Sequence, residues 1–517
     1  MISLQQRSWA QETIARIGRR VGRLPTRRPR KFLLVHLDGV PRAVLEQAIA
    51  QGTMPFFSSL VRSGAYHFDT AFWGSPASTP CFQAGLLYGL RHPNLPAYHW
   101  FDRGLGRVVR MNVPLDAHSV ESRLGARPEN SLLEGGGTTY LSLFHAGAKN
   151  QLDMTSLRNL PAMARALFRD LKGIRGGSRR GVLAYLGELM RDMWGAGKDV
   201  VRWTRRLHGD WRHEREYLLN RFLLIRLAWS LAHSRALIDM VLGVPAIYLV
   251  FGNFDEVAHR RGPCSAQALG ELYRVDAHLA ELYALAHTLE EPYDVYFFTD
   301  HGHVDSAPLE QRVGKKLERC LSEGPAAPLP KEVERGLLDG RALLAGGPVW
   351  PREEPVVIEA GNFAHVYLTR GHEPLEAMAL LQRHREVLSR AVALSDIGLV
   401  AVRRGSRAVA IVRGGVYGAN ELHGVPLPTD FSKRAVADLL EELPHMKSAG
   451  DLVLFGAAHQ RGGTVGFAWE FGSHGGLTRI ETESVVCWPV HGPVELSALS
   501  HSTQLHQRLS TAYRGGK

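Results

Sequence analysis

KFLLVHLDG, residues 31–39, is the stretch of sequence that decides the fold of this chain. Its first seven residues are a compact, mainly apolar run, and Asp38 and Gly39 follow directly. Such a run is typical of a strand buried on both faces of a parallel sheet, and an Asp-Gly pair marks a tight turn after it. We therefore expect a central strand with a carboxylate at its carboxyl end.

Two further runs repeat this arrangement later in the chain. Residues 246–251 (AIYLVF) lead to Asp255, and residues 295–298 (VYFF) lead to Asp300, with a helical pattern at 266–287 between them. Strands and helices alternating at this spacing predict a doubly wound, mostly parallel α/β sheet flanked by helices. Because the aspartates close strand-like runs, we expect them along one edge of the sheet.

Changes in charge and in hydrophobic periodicity along the sequence divide its 517 residues into several parts. A chain of this length is expected to form two or three structural units. We predict a basic amphipathic arm at residues 1–30 and a catalytic domain formed by residues 31–102 and 245–517, with a β-rich C-terminal part. Residues 103–244 are predicted to be an inserted, mainly helical basic cap outside the central sheet.

The net charge of +11 is unevenly distributed. Residues 1–31 hold nine Lys and Arg against one acid, and residues 161–235 hold sixteen against seven, so the remainder is mildly acidic. This asymmetry favours an anionic partner, either a membrane surface or a polyanion, although the sequence has no specific nucleic-acid motif. A solvated basic face without a partner is the alternative.

Ile14, Ile17, Val21 and Leu24 recur at helical spacing in the basic arm. This pattern predicts a helix lying on an anionic lipid surface; an organelle transit peptide and a helix packed on the protein body are alternatives. No cleavable secretory signal is evident, and charges interrupt the apolar stretch 217–244, which favours a buried or interfacial helix over a membrane span. We expect a cytoplasmic or peripheral membrane location.

The four cysteines are far apart and form no CxxC pair. This spacing argues against a disulfide framework and against a thiolate zinc site, and it favours isolated buried thiols. The four are Cys81, Cys264, Cys320 and Cys487.

Seven residues form a candidate set of metal ligands, because each follows an apolar run or begins a glycine-rich turn. They are Asp38, Thr79, Asp255, His259, Asp300, His301 and His474. Carboxylates and imidazoles suit divalent cations, zinc best, with manganese and iron as alternatives. Thr79 falls at a predicted helix N-terminus, where backbone N–H groups favour an anion, so it is a candidate nucleophile between two cations.

Spacing supports some of these assignments more than others. Asp255 and His259 are four residues apart, so both can reach one cation on a helical turn. Adjacent Asp300 and His301 point apart and can face different sides of a metal. Glycines around His474 indicate close approach of the backbone to another group. An ordinary surface or packing role is the alternative for each residue alone.

In this order, the motifs resemble the alkaline phosphatase superfamily, specifically its nucleotide pyrophosphatase/type I phosphodiesterase branch. Asp38 in HLDGV matches the metal-binding Asp that ends the family's first strand. The family's Asp-x-x-Gly-His motif matches Asp255 and His259, with alanine in place of the glycine. Its Ser-Asp-His-Gly motif matches residues 299–302 (TDHG), and its late Gly-x-His-Gly-Gly motif matches His474.

The nucleophile motif of the family is similar to residues 78–89 (STPCFQAGLLYG). In the family the nucleophile stands about ten residues before the glycine that closes the helix, which selects Thr79 here. It also stands two residues before a proline, which selects Ser78 as an alternative. Phe82 stands where phosphodiesterase members often have an Asn that helps hold a phosphate oxygen. This departure leaves open whether diesters or monoesters are preferred.

The resemblance implies a two-metal enzyme. Asp255, His259 and His474 would hold one cation, and Asp38, Thr79, Asp300 and His301 the other. The implied activity is hydrolysis of a phosphoester, with a phosphodiester as the leading expectation, through a phosphothreonine intermediate. The substrate would be a lipid headgroup or a nucleotide, and the alternatives are a lipid headgroup phosphotransferase and a non-catalytic anion-binding relative.

Overall fold

The computed structural model describes residues 2–18, 30–152, 179–207, 211–221, 226, 228–341, 354–371, 373–428, 430–459 and 463–514. Its strands are β1 (Lys31–Leu37), β2 (Tyr66–Ala71), β3 (His99–Asp102), β4 (Arg107–Arg110), β5 (Thr138–Tyr140), β6 (Asn150–Leu152), β7 (Ala246–Phe251), β8 (Tyr293–Phe298), β9 (Val304–Pro308), β10 (Val356–Ala360), β11 (Phe363–Tyr367), β12 (Ile397–Arg404), β13 (Arg407–Val412), β14 (Gly415–Tyr417), β15 (Leu452–Gly456), β16 (Thr464–Gly466), β17 (Gly472–Ser473) and β18 (Ser484–Pro489). Its helices are α1 (Leu4–Gly18), α2 (Arg42–Ala50), α3 (Pro55–Arg62), α4 (Thr79–Tyr88), α5 (Pro114–Arg123), α6 (Arg179–Leu207), α7 (Trp211–Asn220), α8 (Trp229–Leu242), α9 (Asn253–Arg261), α10 (Ala266–Thr288), α11 (Leu309–Val313), α12 (Leu317–Ser322), α13 (Lys331–Leu338), α14 (Ala377–Arg383), α15 (Arg385–Ala393), α16 (Lys433–Glu442), α17 (Arg479–Thr482) and α18 (Ser502–Arg514).

A seven-stranded sheet in the order β2-β18-β8-β1-β7-β5-β6 forms the centre of the molecule. β1 pairs in parallel with β7 and β8, β5 continues the parallel pairing, and β18 runs antiparallel between β2 and β8. Alternate β1 side chains enter two cores: Leu33 and Val35 pack on one face, and Phe32 and Leu34 on the other. Helices cover both faces, so the predicted fold class is confirmed.

The C-terminal third forms a second, antiparallel sheet in the order β10-β11-β15-β12-β13-β14. This agrees with the predicted β-rich C-terminal part, and α14 and α15 pack against β12 of this sheet. A small sheet in the order β16-β9-β17 lies at the start of the loop that carries His474. It pairs β9, which follows the Asp300 loop, with that late part of the chain.

The prediction that residues 103–244 lie outside the central sheet is wrong for part of this range. It is helical in α6, α7 and α8, but it also supplies β5 and β6 to the sheet, where Thr138 lies opposite Ile247. These strands have three residues each, too few for an apolar period to be read from the sequence. The division into domains itself stays a prediction, and residues 153–178 lie outside the described part of the chain.

The basic arm begins with a helix that packs on the protein body. α1 lies against α8 and α10, with Ala10 and Ile17 buried and with Trp9 and Ile14 packed on the core. The expectation that Ile14 and Ile17 face lipid is therefore wrong, because protein already covers this apolar stripe. The predicted residues Val21 and Leu24 lie outside the described part of the chain.

Two expectations about other segments can also be compared with the structure. Among the described residues, no helix combines the length and the apolar character that crossing a bilayer requires, and α8 is largely buried, as expected for 217–244. All four cysteines are free, which agrees with the predicted absence of a disulfide framework. The expectation of four buried thiols holds for Cys487 but is wrong for Cys264, which is exposed.

Arg261 joins helices α6 and α7 to the end of α9. Its guanidinium is completely buried and donates to Asp199 at 2.7 Å and to Glu214 at 2.8 and 3.1 Å. The rings of Trp203 and Tyr217 lie 4.8 and 4.4 Å from its central carbon. Carboxylates and aromatic rings surround this cation, so its role is structural.

Replacing Arg261 by Met should therefore destabilise the protein by about 3–5 kcal/mol, because two carboxylates lose a buried cationic partner. The midpoint of urea unfolding, followed by tryptophan fluorescence, measures this loss. Arg42→Met is the matched control, since it removes an exposed ion pair to Glu46 and should cost less than about 1 kcal/mol. Equal midpoint shifts in the two variants would contradict the structural role of Arg261.

Candidate metal centre

Three carboxylates meet at the carboxyl edge of the central sheet. Asp38 follows β1, Asp300 follows β8 on one side of it, and Asp255 lies in α9, after β7 on the other side. The turn after β1 packs tightly: the Gly39 N–H donates to Asp300 at 3.1 Å, and a Cβ on Gly39 would lie 2.5 Å from Asp255 Oδ1. Both the φ of +69° and this close contact require glycine at position 39.

Thr79 is the first residue of α4 and points into this edge. Its Oγ1 donates to Asp38 Oδ1 at 3.3 Å and lies 3.2 Å from His301 Nε2. The alternative nucleophile, Ser78, has its hydroxyl beside the Cys81 thiol instead. Of the two hydroxyls, the Thr79 hydroxyl is therefore the one that meets the candidate ligands, at the positive end of a helix dipole.

All seven residues singled out from the sequence come together. Nitrogen and oxygen atoms of Asp255, His259 and His474 lie within 4.8 Å of one another, and Asp38, Asp255 and His301 form a second such group. Asp300 joins through its Oδ2, which lies 3.3 Å from His301 Nε2. Two adjacent groups of oxygen and imidazole donors result.

His303 and Glu470 belong to this site, although the sequence interpretation omitted both. His303 is completely buried, and its Nε2 lies 2.7 Å from Asp255 Oδ1, which makes it a fourth member of the Asp255 group. Glu470 lies 3.1 Å from His259 Nδ1 and so orients that ring from behind. The spacing of His303, two residues after His301, was a usable signal; Glu470 has none in the sequence.

The carboxylates at this edge crowd one another. Burial, together with the neighbouring charges of Asp300 and Asp255, raises the pKa of Asp38 well above its ordinary value. Burial likewise raises the pKa of Asp255 to about 7, against the opposing effect of His259. Burial acts in the same direction on Asp300, but His301 and His36 hold its pKa below the usual range.

The imidazoles crowd one another as well. Burial and the neighbouring rings lower the pKa of both His303 and His474, and the His301 and His474 rings stack at 3.8 Å. Burial alone would lower the pKa of His259, but the adjacent Glu470 and Asp255 raise it to about 10. A cation among these donors relieves repulsion between carboxylates and uses neutral imidazoles as ligands, so the donor set fits divalent metal ions.

The residues around the centre have clear packing roles. His36 is buried, with its Nε2 3.1 Å from Asp300 Oδ1 and its Nδ1 2.8 Å from the Tyr248 hydroxyl, so it supports Asp300 from within the sheet. Phe82 packs against His36 and Phe298 in the core, at ring distances of 5.2 and 5.5 Å. The position at which related phosphodiesterases often have an Asn is thus an apolar support beneath the site.

One family model matches this chain, over residues 191–409, and its description is type I phosphodiesterase/nucleotide pyrophosphatase. No curated protein matches the sequence. The matched range includes β7, α9 and β8, and therefore the Asp255, His259, Asp300 and His301 motifs. These motifs carried the resemblance predicted from the sequence.

Solved structures with similar architecture include phosphonoacetate hydrolase from Sinorhizobium meliloti 1021 in complex with phosphonoformate, at 15% identity and a TM-score of 0.47, covering 94% of this chain and 96% of that one. Another is murine ectonucleotide pyrophosphatase/phosphodiesterase 5, at 12% identity and a TM-score of 0.46, covering 93% and 94%. The family match confirms the predicted resemblance to type I phosphodiesterases and nucleotide pyrophosphatases over residues 191–409 of this chain.

Proposed function

We propose that this protein hydrolyses a phosphodiester with Thr79 as the nucleophile in a two-metal site. The observation that carries the proposal is the position of the Thr79 hydroxyl, within 3.3 Å of Asp38 and His301 at the start of α4. An alcohol is a poor nucleophile at neutral pH unless its surroundings activate it. Here the surroundings are carboxylates and imidazoles of the kind that hold divalent cations.

The donors divide between two cations. Asp255, His259 and His474, together with His303, would hold one, and Asp38, Thr79, Asp300 and His301 would hold the other. Zinc suits this mixture of imidazole and carboxylate, with manganese and iron as alternatives. When bound, the cations lower the pKa of the threonine hydroxyl and offset negative charge on the phosphoryl group.

The residues of the chain then account for the chemical steps. Thr79 Oγ1 attacks phosphorus in line, the bond to the leaving oxygen breaks, and a phosphothreonine remains on α4. The N-terminus of α4 stabilises negative charge on the phosphate oxygens. Water then attacks phosphorus, which releases the phosphate product and restores the Thr79 hydroxyl. Asp38 accepts the hydrogen bond of that hydroxyl and so orients its lone pairs.

Thr79→Ala should lower turnover of bis(p-nitrophenyl) phosphate by about 10³-fold or more, because the attacking oxygen is lost. Steady-state assays in zinc-supplemented buffer measure the effect, with p-nitrophenyl phosphate as the monoester comparison. Ser78→Ala is the matched control and should keep most of the activity. The reverse pattern would make Ser78 the nucleophile, and a higher rate on the monoester would move the protein towards the phosphatases.

Products distinguish hydrolysis from transfer. With a lipid diester as substrate and a free alcohol present, a hydrolase releases a phosphomonoester, whereas a headgroup transferase forms a new diester. A zinc-loaded protein that binds phosphate but turns over neither ester would instead be an anion-binding relative.

His303→Asn should weaken zinc binding at the Asp255 group by at least about 10- to 100-fold, because removing even a partner that only orients a ligand has that effect and His303 is itself a candidate ligand. The zinc concentration that supports half-maximal diester turnover measures it in metal-buffered solution. His365→Asn is the control, since His365 is an equally buried histidine that contacts the Pro96 carbonyl away from this site. An unchanged zinc requirement in His303→Asn would remove His303 from the metal-binding set.

An exposed face of α6 supports a lipid headgroup as the substrate class. Met190 and Trp194 are each 70% exposed on this helix, and Val201 lies further along the same face. Lys198 extends over the Trp194 ring at 5.1 Å, and exposed arginines flank the stripe. Exposed apolar side chains interleaved with cations fit an anionic membrane surface, because one group enters the headgroup region while the other pairs with lipid phosphates.

Met190→Ala combined with Trp194→Ala should lower retention on vesicles of phosphatidylserine and phosphatidylcholine by about tenfold, since two large side chains no longer enter the bilayer surface. Co-sedimentation with vesicles measures the bound fraction. Tyr273→Ala removes an equally prominent exposed side chain from α10 and should leave retention unchanged. Equal retention of all three proteins would leave the basic helices without a role in membrane contact.

A further inference from the structure

A second cluster of metal-binding side chain types lies between helices α8 and α10. His233 projects from α8, and His278 and Glu281 project from α10, three residues apart and therefore on the same helical face. One ligand atom from each lies within 4.8 Å of the others. None of the three belongs to the site proposed for phosphoester hydrolysis.

Distances within this cluster are compatible with a shared cation. Glu281 Oε2 lies 3.4 Å from His233 Nε2 and 3.2 Å from His278 Nδ1. The His278–Glu281 contact is a hydrogen bond in the absence of an ion. Donors bound to one tetrahedral zinc ion at about 2.0–2.1 Å lie about 3.3–3.4 Å apart, close to these two separations.

The rings are held in place before any ion arrives. Trp229, one helical turn before His233, stacks on that ring at 5.5 Å with an interplanar angle of 12°. It also meets the His278 ring edge-on at 4.2 Å, while its other side packs on Phe251 of β7. Preoriented imidazoles lower the entropy cost of binding a cation.

Access from solvent is also present. The side chain of His233 is 7% exposed, that of His278 24% and that of Glu281 38%, so the cluster opens outwards from a buried base. Water can therefore supply the fourth position of a tetrahedral ion, which is the arrangement of two imidazoles, one carboxylate and one open position found in zinc sites.

We propose that His233, His278 and Glu281 form a third cation site, of the zinc class, that joins α8 to α10. In the chain, α8 directly precedes and α10 directly follows the β7–α9 segment that carries Asp255 and His259. An ion here would fix the base of that segment without taking part in the reaction. The proposal does not depend on the phosphodiesterase activity, because it concerns different residues and a different readout.

Zinc content tests the proposal directly. The full-length protein, equilibrated with buffered zinc and freed of unbound metal, should contain one more zinc ion per chain than His278→Ala by elemental analysis. Glu281→Gln should show the same loss, and its half-exposed side chain makes a folding defect improbable as an explanation. His287→Ala, a histidine of α10 outside the cluster, should keep the full zinc content.

Stability supplies the second measurement. Zinc should raise the unfolding temperature of wild type and His287→Ala by more than that of His278→Ala and Glu281→Gln. Equal zinc content in all four proteins, or equal zinc-dependent shifts, would overturn the proposal and leave a hydrogen-bonded helix contact. Repeating the zinc count in Thr79→Ala and in Thr79→Ala combined with His278→Ala separates the two sites, because the second protein should still contain one ion fewer than the first when turnover is lost in both.

Discussion

Burial of carboxylates at one sheet edge is the constraint on which the rest of this structure depends. Parallel pairing of β8, β1 and β7 brings their carboxyl ends together, so the fully buried Asp300 lies beside Asp38 and Asp255, whose side chains are 14% and 16% exposed. Taking charges out of water costs several kcal/mol each unless opposite charge compensates them. The histidines, the α4 dipole and the implied cations all supply that compensation. The proposed chemistry and the charge balance therefore depend on the same residues.

In the helices outside the sheet, arginine side chains compensate the charge of buried carboxylates. Arg221 and Arg226 both donate to Asp192 on α6 and to Glu271 on α10, and Arg261 repeats the arrangement with Asp199 and Glu214. Part of the basic character of this region therefore serves internal pairing, whereas the outer face of α6 remains basic and apolar. Net charge alone does not distinguish these two uses of arginine.

The sheet and the grouping of the seven candidate ligands could be predicted from the sequence because both depend on local signals. Apolar runs ending in aspartate predict parallel strands and their shared edge, and Thr79 lies where a helix start was expected. Prediction failed where the outcome depends on tertiary contacts. The apolar stripe of α1 is equally suited to lipid and to protein, strands of three residues carry no period, and the pairing of Glu470 with His259 joins positions far apart in the chain.

The place of β18 in the central sheet has a consequence for biosynthesis. This strand, residues 484–489, lies between β2, which ends 413 residues before it, and β8, which ends 186 residues before it. Until the ribosome has made it, β2 and β8 each present an unpaired edge, and the histidine of the GSHGG loop arrives almost as late. The emerging chain thus completes neither its central sheet nor the candidate metal centre before residues 474–489 are made, and its open strand edges can pair wrongly until then.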